Sequence, residues 1–437
     1  MTKPFTHRSA LSALATAVAL LSGAACLAQP KLPPPQATDP VARGTMVGTP
    51  PAADKRVTLG TILAYPNGRW AFHHMRELGP TLAVSRGTKP ASALAATPKE
   101  WDTLGIETGP DTRTTLAQWQ ANTYTDGLLV LHRGRVVYER YAAGMQARQP
   151  HALWSVSKSF VGLLATWLIQ EGALDAAAPL SRYVPELAGT AWGDASVQDT
   201  LDMTTDPAYT EAFTNPQSDV HRYLRATGLV PVAADYTGPR AMYDFLVTVK
   251  KEGTHGAAFR YKSADTEALG WVLRRVTGKS VAELLSERIW SQIGAQEDAY
   301  YWLDSIGTDV ASVGLNTTLR DLGRFGELVR QGGKWEGRQI IPASVVAEIR
   351  KGASPQKFAA AGQTARAGYS YHNQWWVAHD ADQTFEAKGL FGQHIHINPS
   401  AELVVIKLSS HVVPDTQFTH VLDRAAFAAI AAAVKRP

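Results

Sequence analysis

Ser155-Val156-Ser157-Lys158 sets a hydroxyl and an amine three residues apart, at the head of a nearly unbroken apolar run ending at Gln170. Residues i and i+3 share a face of a helix, so the two groups meet if this run is helical. A serine hydroxyl becomes an effective nucleophile only when a neighbouring base takes its proton. Burial disfavours the charged form of a lysine and lowers its pKa, which suits Lys158 to that task. A second Ser-x-x-Lys, Ser354-Pro355-Gln356-Lys357, follows Lys351 and Gly352 and runs into small and polar residues. It reads as an exposed loop.

Two other segments could serve the first dyad. Tyr261-Lys262-Ser263 stands just before a helical run, Thr266 to Val276. A phenol held near a lysine ammonium can pass a proton to a leaving group, provided the neighbouring charge lowers its pKa. Taken alone, Tyr261 reads as structural. Ala387-Lys388-Gly389-Leu390-Phe391-Gly392-Gln393 leads into the alternating stretch His394 to Asn398. Its glycines allow close backbone approach to a ligand. An edge N–H here could join the Ser155 N–H in holding an oxyanion, usually the greatest single source of rate enhancement in acyl transfer. Taken alone, the segment reads as a bulged strand start.

Other chemistries lack their residues. There is no His-Glu-x-x-His and no cysteine pair, so no metal is expected. Neither GxGxxG nor GxxxxGK[ST] occurs, so no nucleotide cofactor is expected. A Gly-x-Ser-x-Gly elbow is also missing. The one cysteine, Cys26, falls at the end of an N-terminal segment in which Lys3 and Arg8 precede an apolar run from Ala10 to Leu21. That is the layout of a secretory signal peptide over residues 1–28, implying a periplasmic or secreted protein. A lipid anchor at Cys26 is the alternative. The apolar run is too short for a comfortable span, so the mature chain is expected to have no transmembrane segment. The net charge of +4 falls to +2 without residues 1–28, and no basic block with interleaved aromatics occurs. No nucleic-acid partner is expected.

The elements that must position the dyad come from both ends of the chain. After a proline-rich linker (29–52) and an N-terminal extension (53–120), the main body opens with strands Gly127–Leu131 and Arg135–Glu139 around the turn His132-Arg133-Gly134. His73 and His74 in the extension read as packing residues, and no chemistry is assigned to it. Near the other end, His394–Asn398 and Leu403–Leu408 are strands, and Phe418–Val434 is a helix. Residues 174 to about 350 are mostly helical. The pattern predicts an α+β fold: an antiparallel sheet flanked by helices, built from both ends of residues 121–437, with an inserted helical subdomain.

Taken in this order, the Ser-x-x-Lys helix, the Tyr-x-Ser segment and the glycine-rich strand resemble the serine β-lactamase/penicillin-recognising superfamily on its class C side. Within it, Tyr261-Lys262-Ser263 and Gly389-x-x-Gly392-Gln393 are most similar to the 6-aminohexanoate-dimer (nylon-oligomer) hydrolases and related esterases. The resemblance implies a β-lactamase/transpeptidase-like fold and an acyl-enzyme formed on Ser155, with Lys158 as general base. It further implies Tyr261 as proton shuttle, Ser263 as its support, and an oxyanion hole from the N–H groups of Ser155 and Leu390 beside Gly389. Tyr209, in Asp206-Pro207-Ala208-Tyr209, becomes the candidate tyrosine of a substrate-closing loop; a plain surface-loop tyrosine is the other reading. Aligned on Gly389, the position of the β-lactamase Lys or His is Ala387. That favours a small-molecule amide or ester substrate over a β-lactam. A β-lactamase or D,D-peptidase is the rival enzyme, and a penicilloyl-binding sensor without turnover the rival of another class.

Overall fold

Seven strands form the central antiparallel sheet: β1 (Thr125–His132), β2 (Arg135–Tyr141), β3 (Ser370–His372), β4 (Trp375–Val377), β5 (Phe385–Gly389), β6 (Gln393–Asn398) and β7 (Leu403–Ser409). Their spatial order is β3-β4-β5-β6-β7-β1-β2. The β7–β1 ladder, with Val404 opposite Leu131 and Ile406 opposite Leu129, joins the two ends of the body. This computed structural model describes residues 32–213, 215, 217–362, 366–414 and 419–435. The expected signal segment, 1–28, lies outside them.

Successive strand residues face opposite ways, and both faces of the sheet are covered. Four helices matter most: α1 (Val156–Gln170), α2 (Ser263–Thr277), α3 (Leu319–Arg330) and α4 (His420–Val434). Leu129, Leu131, Ile395, Val404 and Ile406 pack with α1 and α3 in the main core. Leu128, Val130, Leu403 and Val405 pack with Phe427 and Ile430 of α4. Helix α1 is buried nearly all round, as its apolar sequence requires. It lies so close to the β3–β4 turn that a Cβ at Gly162 would stand 2.1 Å from the Asn373 carbonyl oxygen. Any larger residue there would push the helix off the sheet.

The inserted region is mostly helical, with two strands the periodicity did not show. Ala299–Trp302 and Leu315–Thr317 join Thr81–Val84 and His151–Ala152 in a small four-stranded sheet. Such short apolar runs carry no period that separates strand from helix. Part of the proline-rich stretch is ordered against the body. Over Pro35–Thr38 it is a helical turn pinned to the body, because buried Arg69 donates to Pro35 O at 3.0 Å and to Thr38 Oγ1 at 2.6 Å. The same guanidinium pairs with buried Asp126 at 3.2 Å. Among the described residues, no helix is long and apolar enough to cross a membrane, and no cluster of three or more His, Cys, Asp or Glu could hold a metal.

Candidate active site

Ser155 occupies the N-cap position of α1 but does not cap it. An N-cap serine ordinarily has extended backbone angles and turns its oxygen onto the N–H of the first turn. Ser155 has φ −68° and ψ −6°, and its side chain makes no capping bond. The oxygen is left for Lys158, whose Nζ donates to Ser155 Oγ at 2.7 Å and to Ser312 O at 3.3 Å. Lys158 is fully buried. Burial pulls its pKa down to about 8, while the charges of Glu211 and Glu267 push the other way. A neutral amine is therefore within easy reach near neutrality, one hydrogen bond from the hydroxyl.

Tyr261 completes a triangle. Lys158 Nζ lies 5.1 Å from the centre of its ring, and Tyr261 stacks on Trp376 at 5.6 Å. Burial raises the phenol pKa, an effect only partly offset by Ser155. The lowering that the sequence reading set as a condition does not occur: the ring sits among Phe259, Tyr371 and Trp376, where a phenolate would be poorly solvated. At neutral pH Tyr261 holds its proton, the state of a donor to a leaving group.

The C-terminal end of β5 meets the chain just before Ser155. A Cβ on Gly389 would stand 2.5 Å from the Leu153 carbonyl oxygen, so glycine alone permits this approach. Leu390 follows as the first residue of a helical turn, Leu390–Gly392. By position neither its N–H nor that of Ser155 has an acceptor within its own turn. Two residues with left-handed backbone frame these groups: Trp154 (φ 47°) precedes Ser155, and Phe391 (φ 61°) follows Leu390. Such angles are costly for bulky side chains and persist where packing over-determines them. Here the packing is mutual. The two rings lie 5.1 Å apart, and Phe72 packs on Trp154 at 5.0 Å and on Phe391 at 4.8 Å.

The sequence matches the Beta-lactamase family over residues 113–430. The chain belongs to the beta-lactamase family. It is 36% identical over 379 residues to a 6-aminohexanoate-dimer hydrolase of Paenarthrobacter ureafaciens, covering 86% of this chain and 93% of the relative. A solved structure from Bacillus anthracis, assigned as a 6-aminohexanoate-dimer hydrolase, superposes with a TM-score of 0.81 at 32% identity, over 88% of this chain and 98% of that one. The fold is shared with EstCE1, a hydrolase with promiscuous acyltransferase activity, at a TM-score of 0.54 and 17% identity, over 71% and 98% of the two chains. By family and relatives, the protein is a serine hydrolase of amide or ester bonds.

In this beta-lactamase-family hydrolase, strand alternation sets Ala387 and Lys388 on opposite faces of β5. Ala387 faces the core shared with α1, whereas Lys388 faces the other way and binds Glu386 at 2.7 Å and His420 Nδ1 at 3.0 Å. Tyr209 differs from the loop tyrosine expected to close over substrate. It is 5% exposed, its ring packs edge-on to Phe245, and its hydroxyl donates to Glu211 Oε1 at 3.0 Å. Ser263 is the first residue of α2, and its backbone N–H also donates to Glu211.

Two carboxylates of the site escaped the sequence reading. Glu211 bridges the segment 206–213 to the start of α2. Glu267 accepts the N–H groups of Ala311 and Ser312, each at 3.0 Å, and thereby fixes the Ser312 carbonyl that receives Lys158. Burial lifts its pKa to about 7. Glu267 lies four residues after Ser263, one helical turn along the same face, the only local signal it gave. The second Ser-x-x-Lys does what Ser155 does not: Ser354 caps the short helix Pro355–Ala359, accepting the Lys357 N–H at 3.2 Å, with the Lys357 side chain exposed.

Proposed function

We propose that this protein hydrolyses small amides or esters through an acyl-enzyme on Ser155. The carrying observation is the buried Lys158 amine, 2.7 Å from the Ser155 oxygen. Neutral Lys158 takes the hydroxyl proton as Ser155 attacks the carbonyl carbon. The N–H groups of Ser155 and Leu390 receive the oxyanion, and Tyr261 delivers a proton to the departing nitrogen or oxygen. Water then cleaves the acyl-enzyme with the proton transfers reversed. Ser263 supports this arrangement through the start of α2, and Gly389 through its closeness to Leu153.

The likeness to the Paenarthrobacter hydrolase, with the uncharged Ala387 facing the core, supports a linear amide of the 6-aminohexanoate-dimer type over a β-lactam. We further propose that residues 1–28 are a cleaved secretory signal, placing the enzyme outside the cytoplasm; N-terminal sequencing of the exported protein reads this directly. The mechanism is tested with a fluorophosphonate probe. Wild-type protein labels and Ser155→Ala does not; labelling that survives in the variant removes Ser155 from its role. Multiple turnovers of a short ester exclude a non-turnover sensor.

A further inference from the structure

The second serine of Ser155-Val156-Ser157-Lys158 takes no part in the proton transfers, yet its side chain is fully buried and its hydroxyl is bonded on both sides. Ser157 Oγ donates to Trp154 O at 2.6 Å and accepts the Leu315 N–H at 3.1 Å. The Ser157 N–H reaches the same Trp154 carbonyl at 3.0 Å. The C=O of Trp154 and the N–H of Ser155 belong to one planar trans peptide unit and point in opposite directions. Whatever fixes that carbonyl therefore aims that N–H. This peptide needs fixing from outside: Trp154 is left-handed at φ 47°, and the first N–H groups of a helix have no partner within it. Leu315 closes the frame from the far side, since its carbonyl accepts the Leu153 N–H at 2.9 Å. Three residues before it, the Ser312 carbonyl receives Lys158 Nζ at 3.3 Å.

We propose that Ser157 is a positioning residue of the oxyanion hole: its hydroxyl clamps the Trp154 carbonyl and so directs the Ser155 N–H at the developing oxyanion. A hydroxyl suits this place because it donates and accepts at once. Alanine would release the Trp154 carbonyl from one of its two bonds and leave the Leu315 N–H without its acceptor. Stabilisation by an oxyanion donor depends on its being aimed before the reaction, so the loss falls on the transition state. Ser159 provides the contrast within α1. It is buried too, but its hydroxyl donates to Gln374 O of the β3–β4 turn at 2.7 Å, outside the oxyanion peptide. The proposal rests on the acyl-enzyme reading, which supplies the oxyanion.

The test pairs Ser157→Ala with Ser159→Ala, each of which removes a buried hydrogen bond from a serine to a backbone carbonyl. Both variants should lower the melting temperature. Only Ser157→Ala should lower kcat/KM on p-nitrophenyl butyrate, by about ten- to a hundredfold, somewhat less than deletion of an oxyanion donor. Butaneboronic acid adds to Ser155 Oγ through boron and sets a boron-bound oxygen in the oxyanion hole. Its affinity should fall by a similar factor in Ser157→Ala and hold in Ser159→Ala. The acid limb of the pH profile should stay near pH 8 in both, because the bond from Lys158 to Ser155 is untouched. Equal kinetics in the two variants overturn the assignment. So does a fall in kcat/KM with boronate affinity unchanged, or one accompanied by a displaced acid limb. If Ser157→Ala does not fold, Ser157→Cys, of similar size and a weaker donor, carries the same comparison. Wild-type protein that a fluorophosphonate fails to label sinks the acyl-enzyme reading. Intact labelling with normal kinetics in Ser157→Ala sinks the Ser157 reading alone.

Discussion

Trp154 and Phe391 pack at 5.1 Å, one immediately before Ser155 and the other immediately after Leu390, each with a left-handed backbone. The contact ties the two proposed oxyanion N–H groups to one another through side chains rather than through the sheet. Phe72 touches both rings. The N-terminal extension thus takes part in shaping the site, although it carries none of the reacting groups. Phe72→Leu keeps apolar bulk but removes the flat ring. It should lower kcat by about tenfold or more with a smaller change in KM, because misplaced oxyanion donors weaken transition-state binding selectively. Steady-state kinetics on a p-nitrophenyl ester check this, and an unchanged kcat would show that the strained pair holds itself.

The pH profile should report Lys158. Its folded-state pKa, about 8, lies below the ordinary lysine value, and in the proposed mechanism the active form is the neutral amine. The acid limb of kcat/KM should therefore rise about tenfold per pH unit and level off near pH 8. Glu211 opposes deprotonation, since a nearby negative charge favours the ammonium. Glu211→Gln should move the limb to lower pH. A limb that stays in place would separate Glu211 from the base.

Lys158→Met should slow acylation by roughly a hundred- to ten-thousand-fold, the usual worth of a positioned general base. Methionine fills similar space in the core, so the melting temperature should hold or rise as a buried cation disappears. Stopped-flow acylation with a parallel thermal melt distinguishes lost chemistry from lost fold. Ser354→Ala in the second Ser-x-x-Lys should leave probe labelling intact and cost about 1 kcal/mol of cap stability at most.

Tyr261→Phe separates substrates by leaving group. An amine must be protonated as it departs, whereas p-nitrophenolate leaves unaided. Amide hydrolysis should fall by about a hundredfold or more, and p-nitrophenyl ester hydrolysis by distinctly less. Equal losses on both would place Tyr261 in acylation by another route.

Gly389→Ala probes the close approach of β5 to the serine. The added Cβ meets a backbone carbonyl at 2.5 Å, which has no side-chain freedom to give way. Overpacking of this kind costs about 1–3 kcal/mol. The catalytic loss should exceed it, because the strand end carries Leu390. Comparing denaturant midpoints with kcat measures the two effects side by side.

Local rules carried much of this. Ser155 and Lys158 are one helical turn apart, and the apolar run behind them ensured a buried helix and hence a lysine of lowered pKa. Apolar runs beside turn residues marked Gly127–Leu131 and Leu403–Leu408 as strands, and their places near the two ends of the body predicted the sheet that joins them. What the sequence could not decide were matters of environment and long-range approach. Both Ser-x-x-Lys copies begin with a serine before a helix. Only the fold determines that Ser354 spends its oxygen on a cap while Ser155, in a helical backbone conformation, saves it for Lys158. The direction of the Tyr261 pKa depended on aromatic rings from β3 and β4, more than a hundred residues away. The burial of Tyr209 and the reach of Glu211 and Glu267 toward Lys158 likewise arise where distant segments pack. A short motif sets which groups can meet; desolvation and neighbouring charge, which only the packed chain supplies, set what they can do.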